Sequence, residues 1–154
     1  MNELSQKVLR VLQGKTLVTA ESCTGGGIGA ALTAIPGSSK VYKGGIICYT
    51  NWVKENILGI DRNTLERHGA VSLPVAELMA SSARELLKAD VAISVTGLAG
   101  PGGDEFGHDV GTVYIGYSSA HKADAKEFLF TGDRNAVRQL AVEAALRMIL
   151  ECNE

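Results

Sequence analysis

The sequence predicts an α/β domain, a three-layer α/β/α sandwich with a mixed, mostly parallel sheet. Segments with helical and strand patterns alternate in the first part of the chain, which is typical of parallel strands joined by crossover helices. Residues 90–97 (DVAISVTG) form a near-continuous apolar strand, of the kind that is buried on both faces. Two later strands, 111–119 and 126–132, are close enough in sequence to pair antiparallel around the segment AHKADA.

The N-terminal half is expected to begin with a helix. Leu4, Val8, Val11 and Leu12 recur at helical spacing, and Gly14 ends that helix. The elements expected next are a β-branched strand at 15–20, a small-residue helix at 26–35 followed by the turn PGSS, a strand at 42–50, and a helix at 51–60. Asn51 is expected to cap the last of these helices.

Two longer helices are predicted in the second half. The first has Ser72 as its N-cap and Pro74 in its first turn. Its apolar face is predicted to comprise Val75, Leu78, Met79, Ser82 and Leu86. A loop rich in glycine and proline, 98–111, follows the apolar strand, and the last helix begins with Asp133 as its N-cap. That helix is predicted to bury Val137, Leu140, Ala141, Ala144, Met148 and Ile149.

The composition favours a globular domain with a small-molecule ligand. At 154 residues, the chain is expected to form one domain over 1–154. Apolar residues make up 45% and charged residues 21%, which disfavours disorder. A net charge of -2 gives no bulk attraction to nucleic acid or to an anionic membrane, so an anionic ligand would need a local site.

The cysteines and the N-terminus favour a cytoplasmic protein. Cys23, Cys48 and Cys152 are odd in number and unrelated in spacing, so neither a disulfide framework nor a zinc site is expected. The segment MNELSQKVLRVLQGK carries charges throughout and has no apolar core typical of a signal peptide. No apolar run is long enough to span a bilayer.

The stretch TAESCTGGGIGAAL (19–32) places Ser22 and Cys23 before a glycine run, between a strand and a helix. The first N–H groups of a helix favour negative charge. The stretch fits neither a Walker loop, nor G-x-G-x-x-G, nor the G-x-S-x-G elbow. The residues alone leave three interpretations open. The glycines cradle a phosphate or allow close helix packing, Ser22 is a nucleophile with an oxyanion site at the helix start, or Ser22 or Thr24 simply caps the helix.

The choice of nucleophile depends on the available base. A cysteine nucleophile normally pairs with a histidine, and His68, His108 and His121 all lie in polar, loop-like segments, so Cys23 is expected to be a buried, inert thiol. A serine can instead use a lysine kept neutral by burial. Lys54 is the candidate, because it follows a strand end that should share an edge with Ser22. Trp52 and Ile57 are expected to desolvate it.

Other polar residues are predicted at the same edge, since ligands of α/β sheets gather outside the carboxyl ends of the strands. Thr96 is the last polar group on the apolar strand. Arg134 and Arg138, one turn apart on the last helix, are expected to bind an anion, cover the helix end, or pair with acidic residues. The loop residues Asp104, Glu105, His108 and Asp109 are expected to be solvated, and no metal site is predicted.

Seven motifs occur in order between residues 15 and 140, namely AESCTGG, PGSS, YTNxxK, HGAVS, VTGLAGPGG, VGTVYIG and TGDRxxVR. In these motifs the chain resembles the CinA C-terminal domain family, whose active members are nicotinamide-nucleotide amidases. The resemblance implies hydrolysis of nicotinamide mononucleotide to nicotinic acid mononucleotide and ammonia, a pyridine nucleotide salvage reaction, without metal or organic cofactor. The chain looks like the stand-alone form, without the larger N-terminal domain of full-length CinA proteins.

The resemblance also implies roles for individual residues. Ser22 is the implied nucleophile, Lys54 its base, and Tyr49 and Thr96 the further catalytic residues. Such a Ser–Lys pair needs no histidine. The implied substrate-binding residues are Thr24, Gly25, Gly26, Asn51, Gly97, Gly100, Arg134 and Arg138. We expect the glycine loop and one of the two arginines to hold the phosphate, and the TGGG helix start to support the oxyanion, the phosphate or both.

Two departures and one alternative stand beside this hypothesis. Trp52 and Val53 replace the small or charged residues that the family more often has, and the GGDEFGHD loop differs from its usual version. Both changes are expected to reshape the pocket and to remove no catalytic residue. The alternative is a non-catalytic nucleotide-binding module, or a subunit of a CinA-like assembly. Self-association is expected, because the chain is small and carries an apolar strand pair.

Overall fold

A computed structural model describes all 154 residues of the chain. Six α-helices and five strands follow one another along the sequence, with a short 3₁₀ helix at Ser38–Lys40. In order they are α1 (Asn2–Val11), β1 (Leu17–Glu21), α2 (Gly27–Thr33), β2 (Tyr42–Ile47), α3 (Asn51–Asn56), α4 (Arg62–His68), α5 (Leu73–Leu86), β3 (Val91–Gly97), β4 (Thr112–Ser119), β5 (Ala123–Leu129) and α6 (Arg134–Asn153). No helix is both long enough and apolar enough to cross a membrane.

The five strands form one sheet in the order β2-β1-β3-β4-β5. β1 is parallel to both β2 and β3, whereas β4 is antiparallel to both β3 and β5. Four strands therefore run in one direction and β4 alone is reversed, which confirms the predicted mixed, mostly parallel sheet. The β4–β5 hairpin is tighter than expected, because Ala123 already pairs with Ser118. Ser119 Oγ accepts hydrogen bonds from the backbone N–H groups of His121 and Lys122 and so closes the turn.

Helices cover both faces of the sheet, as the sequence predicts. One core cluster packs α1, α2 and α6 against residues such as Leu17 and Ile93. A second cluster packs α4 and α5 against the alternate residues Val18 and Ala92. Every residue of β1 is buried, as is every residue of β3 except the last, which confirms that the apolar central strand is covered on both sides.

The predicted apolar faces of the two long helices are confirmed in part. The predicted residues that are buried are Val75, Met79, Val137, Ala141, Met148 and Ile149. In α5, Leu78 and Leu86 are exposed, and Ala76, Ala80 and Ala83 are buried beside Val75 and Met79. This face of α5 carries small side chains because the helix lies close to the sheet, where Ser94 Oγ donates to the Ala76 carbonyl at 2.5 Å. In α6, Leu140 is exposed and Ala144 half-buried, while Ala145 and Leu146 lie in the core.

The predicted helix starts at Ser72 and Asp133 are confirmed. The Ser72 and Asp133 side chains accept from Val75 N and Ala136 N, respectively. The segment after β2 differs from the expectation. Thr50 rather than Asn51 is the residue before α3, which ends at Asn56, and a separate helix, α4, follows with Asp61 as its cap. The carboxyl ends of β1, β2 and β3 meet at one edge of the sheet, where α2 and α3 also begin.

Candidate active site

A cavity of about 410 Å³ opens at this edge of the sheet. Its walls come from the residues after β1, the segment from Tyr49 into α3, Ala70 and Val71 before α5, the end of β3 with the loop behind it, and the first residue of α6. The cavity brings together eight of the predicted site residues, namely Ser22, Tyr49, Asn51, Lys54, Thr96, Gly97, Gly100 and Arg134. The other four, Thr24, Gly25, Gly26 and Arg138, do not line it.

Ser22 and Lys54 are in direct contact at the floor of the cavity. Ser22 Oγ lies 2.9 Å from Lys54 Nζ, although the residues are separated by 32 positions in the chain. Ser22 is 7% exposed and Lys54 only 1%. The lysine reaches the serine because β1 and β2 are adjacent and parallel, and because α3 begins four residues after β2. Two ends of neighbouring strands thus deliver a hydroxyl and an amine to the same point.

Burial lowers the pKa of Lys54, because an ammonium group loses its hydration there. The nearby thiols of Cys48 and Cys23 raise the pKa, but by less. Lys54 Nζ also lies 2.7 Å from the Cys48 carbonyl and 3.4 Å from that of Tyr49. A neutral amine has two N–H donors and one lone pair. It can donate to both carbonyls and accept from the Ser22 hydroxyl, so the geometry suits a base.

Burial also disfavours Cys23 as a nucleophile. Loss of hydration raises the pKa of the Cys23 thiol to about 11, so the thiol stays protonated at neutral pH. Burial raises the pKa of Cys48 to about 11 as well. None of the three histidines lines the cavity. All three cysteines are unpaired.

Lys54 is not buried by the residues that the sequence suggested. Trp52 is 65% exposed and Ile57 47% exposed, so neither covers the amine. The buried apolar residues of this segment are Leu58 and Ile60. The spacing of residues on α3 explains the difference, since the face that carries Lys54 points inward and the face with Trp52 points to solvent.

Glu21 organises the glycine loop, and the sequence reasoning missed it. Its carboxylate is 2% exposed and accepts hydrogen bonds from Thr24 Oγ1 at 2.6 Å, Ile28 N at 2.8 Å and Gly29 N at 3.0 Å. These bonds satisfy N–H groups at the start of α2. The expectation that this helix start holds a phosphate or an oxyanion therefore changes, because its donors are already occupied. An acidic residue at the end of a strand that is otherwise uncharged and buried was the available signal.

The loop residues themselves shape the turn between β1 and α2. The Thr24 hydroxyl donates its proton to Glu21, so it cannot donate to a substrate. Gly25 and Gly26 have φ angles of 57° and 103°, a left-handed conformation that favours glycine. Arg138 lies behind the loop and donates to the carbonyls of Cys23 and Thr24.

Arg134 and Tyr49 form the mouth of the cavity. Arg134 Nη1 donates to the Gly100 carbonyl at 2.7 Å, and Nη2 donates to the Tyr49 hydroxyl at 3.0 Å. Arg134 has no carboxylate within 4.0 Å, and apart from Lys54 it is the only cationic side chain lining the cavity. The arginine thus holds the 98–111 loop through Gly100, and its remaining guanidinium N–H groups stay free at the entrance of the cavity.

Thr96 and Gly97 shape the opposite wall. The Thr96 hydroxyl donates to the Ala70 carbonyl at 2.8 Å and so holds the segment HGAVS against β3. Gly97 lies against Val113 and the Thr112 carbonyl, where a Cβ atom would clash. Asn51 is exposed at the rim. Thr96 therefore lies in the cavity wall on β3, which is separated by β1 from β2, the strand that precedes Lys54.

The 98–111 loop contains no helix or strand, as predicted. Asp104 binds its own loop, accepting from His108 Nδ1 at 2.6 Å and from the backbone N–H groups of Phe106 and His108. Nowhere in the chain do three histidine, cysteine, aspartate or glutamate side chains group as metal ligands would.

Comparison with known proteins places the chain in a family. Residues 1–153 match the CinA C-terminal domain. The chain is 50% identical over 149 residues to a CinA-like protein of Parasynechococcus marenigrum, an alignment that covers 94% of this chain and 36% of the relative. A CinA-like protein of Thermosynechococcus vestitus is 44% identical over 151 residues, with 95% and 36% covered. The chain thus spans about a third of the length of these curated relatives.

Solved structures share the whole fold. A competence or damage-inducible protein of Enterobacter asburiae superposes with a TM-score of 0.96 at 35% identity, covering 99% of this chain and 98% of that one. The competence/damage inducible protein CihA of Agrobacterium tumefaciens gives a TM-score of 0.95 at 37% identity, with 99% and 95% covered. The sequence match and the shared fold lead to the same conclusion: the chain belongs to the CinA C-terminal domain family.

Proposed function

We propose that the chain is an amidohydrolase that converts nicotinamide mononucleotide to nicotinic acid mononucleotide and ammonia. The observation that carries this proposal is the 2.9 Å contact between the buried Ser22 hydroxyl and the buried Lys54 amine. The names of the solved relatives refer to competence and damage inducibility and specify no reaction. Support for the proposal therefore comes from the chemistry of the site.

The first half of the reaction forms an acyl-enzyme. Neutral Lys54 takes the proton of Ser22 as Oγ bonds to the carboxamide carbon, which places a negative charge on the carbonyl oxygen. When this tetrahedral intermediate collapses, the C–N bond breaks and the Lys54 ammonium returns its proton to the leaving nitrogen. Ammonia departs, and the nicotinoyl group remains as an ester of Ser22.

The second half hydrolyses that ester by the same proton path. Lys54, neutral again, takes a proton from water as the water oxygen bonds to the acyl carbon. The ester C–O bond then breaks, the proton passes to Ser22 Oγ, and the carboxylic acid leaves. A single base serves both halves because the amine starts and finishes each of them in its neutral form.

The cavity suits a mononucleotide whose amide and phosphate lie at opposite ends. Its volume of about 410 Å³ is within the range of small-ligand sites. With the carboxamide at Ser22, the free N–H groups of Arg134 at the mouth supply the cation that a phosphate requires. Tyr49 holds this guanidinium in place through the bond to its hydroxyl.

Ammonia release by the purified protein tests the proposed function. We expect the wild-type protein to release ammonia from nicotinamide mononucleotide, with nicotinic acid mononucleotide as the equimolar second product. A coupled ammonia assay with chromatography of the nucleotides measures both. Binding of the mononucleotide by calorimetry without release of ammonia would instead establish a non-catalytic nucleotide-binding module.

Replacement of Arg134 tests the placement of the phosphate. In Arg134→Met, we expect KM for nicotinamide mononucleotide to rise about 10- to 100-fold while kcat changes little, because a charge-assisted hydrogen bond contributes roughly 1.5–3 kcal/mol. Nicotinamide riboside, which has no phosphate, should show an unchanged KM. Steady-state kinetics on both substrates measures this, and an equal change for both would contradict the assignment.

A further inference from the structure

Arg138 binds the glycine loop that follows Ser22, and it does so from outside the cavity. Its Nε donates to the Cys23 carbonyl at 3.1 Å, and its Nη2 donates to the Thr24 carbonyl at 3.2 Å. No carboxylate lies within 4.0 Å of it. It does not line the cavity that contains Ser22, but a neighbouring one that is also lined by Thr24 and Gly27. The guanidinium therefore binds the two backbone carbonyls that directly follow Ser22, the proposed nucleophile.

These bonds fix the direction of backbone N–H groups. In a planar trans peptide, the C=O and the N–H point in opposite directions. Because the Cys23 carbonyl faces Arg138, the Thr24 N–H of the same peptide faces away from Arg138. The Ser22 carbonyl accepts from Gly25 N at 3.1 Å, which similarly turns the Cys23 N–H away from that bond.

The N–H groups of Cys23 and Thr24 have no acceptor within the protein, although both residues are buried. A buried N–H without a partner costs free energy and needs an explanation. Most of the neighbouring donors are occupied, since Ile28 N and Gly29 N bind the Glu21 carboxylate and Gly27 N binds the Thr24 carbonyl. Successive free N–H groups form a concavity that binds anions.

We propose that Arg138 is a positioning residue that presents the N–H groups of Cys23 and Thr24 to the oxyanion formed when Ser22 attacks the amide. This inference rests on the proposed amidase function. The N–H of the residue after a nucleophile is a common oxyanion donor in acyl transfer, and its worth depends on fixed orientation. Arg138 orients the Thr24 N–H directly, through its bond to the Cys23 carbonyl. It orients the Cys23 N–H indirectly, because its bond to the Thr24 carbonyl fixes the peptide whose Gly25 N–H binds the Ser22 carbonyl. Glu21 anchors the other side of the loop through three bonds. The phosphate role that the sequence suggested for Arg138 then belongs to Arg134 alone.

Three variants test this role. Arg138→Ala removes both bonds, Arg138→Lys keeps the charge without the planar fork that spans two carbonyls, and Arg147→Ala is the matched control. Arg147 is an exposed arginine further along α6 that pairs with Glu143. Each variant is assayed for kcat and KM on nicotinamide mononucleotide and nicotinamide riboside. Each is also assayed for the rate at which an alkyl fluorophosphonate labels Ser22, a reaction in which Oγ displaces fluoride from phosphorus and a negative charge develops on the phosphoryl oxygen.

In Arg138→Ala, we expect kcat to fall about 100-fold on both substrates alike, with KM changed less than about threefold, and labelling to slow on the same order. Arg138→Lys should lie between the wild type and Arg138→Ala, and Arg147→Ala should match the wild type. Thermal melting identifies variants that are not folded. If Arg138→Ala is unfolded at the assay temperature, the kcat and labelling rate of Arg138→Lys, compared with those of the wild type, decide whether Arg138 has the positioning role.

The possible outcomes separate this inference from the proposed function. A loss confined to the mononucleotide, seen as a raised KM, would make Arg138 a phosphate ligand and overturn the inference. Wild-type kcat and labelling in a folded Arg138→Ala would also overturn it, and the amidase function would stand. If the wild type is labelled at Ser22 but releases no ammonia, the proposed function fails and the labelling rates still decide the role of Arg138. A wild type that is not labelled at Ser22 overturns the inference.

Discussion

Ser22→Ala is expected to lower kcat for ammonia release by about 10⁴- to 10⁶-fold, because removal of the nucleophile closes the covalent route entirely. The loss is this large because no other group can form the acyl intermediate. Cys23 is adjacent, but burial raises the pKa of its thiol to about 11 and keeps it protonated. The variant should stay folded, since Lys54 keeps its contacts with the carbonyls of Cys48 and Tyr49.

The neighbouring cysteine provides the matched control. Cys23→Ala keeps the backbone of the loop and removes only the thiol, so we expect it to lose at most about tenfold in kcat. Single-turnover assays on both variants, with melting curves to confirm folding, compare the two side chains directly. Wild-type turnover in Ser22→Ala together with a large loss in Cys23→Ala would assign the nucleophile to Cys23 and contradict the mechanism.

The fold was predictable where one pattern dominates locally. The apolar run at 91–96 and the alternation of helices and strands specify a sheet covered on both faces, because only such a strand hides apolar residues on both sides. The side-chain caps at Ser72 and Asp133 were equally visible. The buried faces of α5 and α6 were predictable only in part, because some alanines that pack closely on a sheet carry little weight beside leucines that point to solvent. Helix α4, seven residues long, is capped by Asp61 and has a pattern too short to recognise.

The site was predictable at the level of sheet edges and not at the level of hydrogen bonds. The ends of parallel strands share an edge, so the sequence could bring Ser22 and Lys54 together. It could not show that Glu21 occupies the donors at the start of α2, because two of those bonds join a side chain to a backbone seven and eight residues away. Nor could it separate Arg134 from Arg138. One turn of α6 puts the first on the cavity and the second behind the glycine loop.

Lys54→Met tests the base by removing the amine while nearly keeping the length of the side chain. We expect kcat to fall about 10²- to 10⁴-fold, the usual contribution of a general base. In the wild type, kcat/KM should rise with pH and level off once Lys54 is neutral, with a midpoint below the ordinary pKa of lysine because burial lowers it. Lys40→Met, a change at an exposed lysine, is the control and should leave the profile unchanged.

The same pKa shift affects stability, and its sign follows from linkage. Because the pKa of Lys54 is lower in the folded chain than in the unfolded chain, the unfolded chain binds more protons at pH values between the two. Protonation of buried Lys54 destabilises the folded chain. This destabilisation is absent above the pKa that Lys54 has in the unfolded chain, grows as pH falls, and is complete below its pKa in the folded chain. The free energy of unfolding of the wild type, relative to Lys54→Met, should therefore rise with pH. Urea unfolding of both proteins at pH 6 and pH 9 measures this difference. A pH–rate profile that is flat from about pH 6 to 9, with no relative gain in wild-type stability, would contradict the assignment of Lys54 as a titrating base.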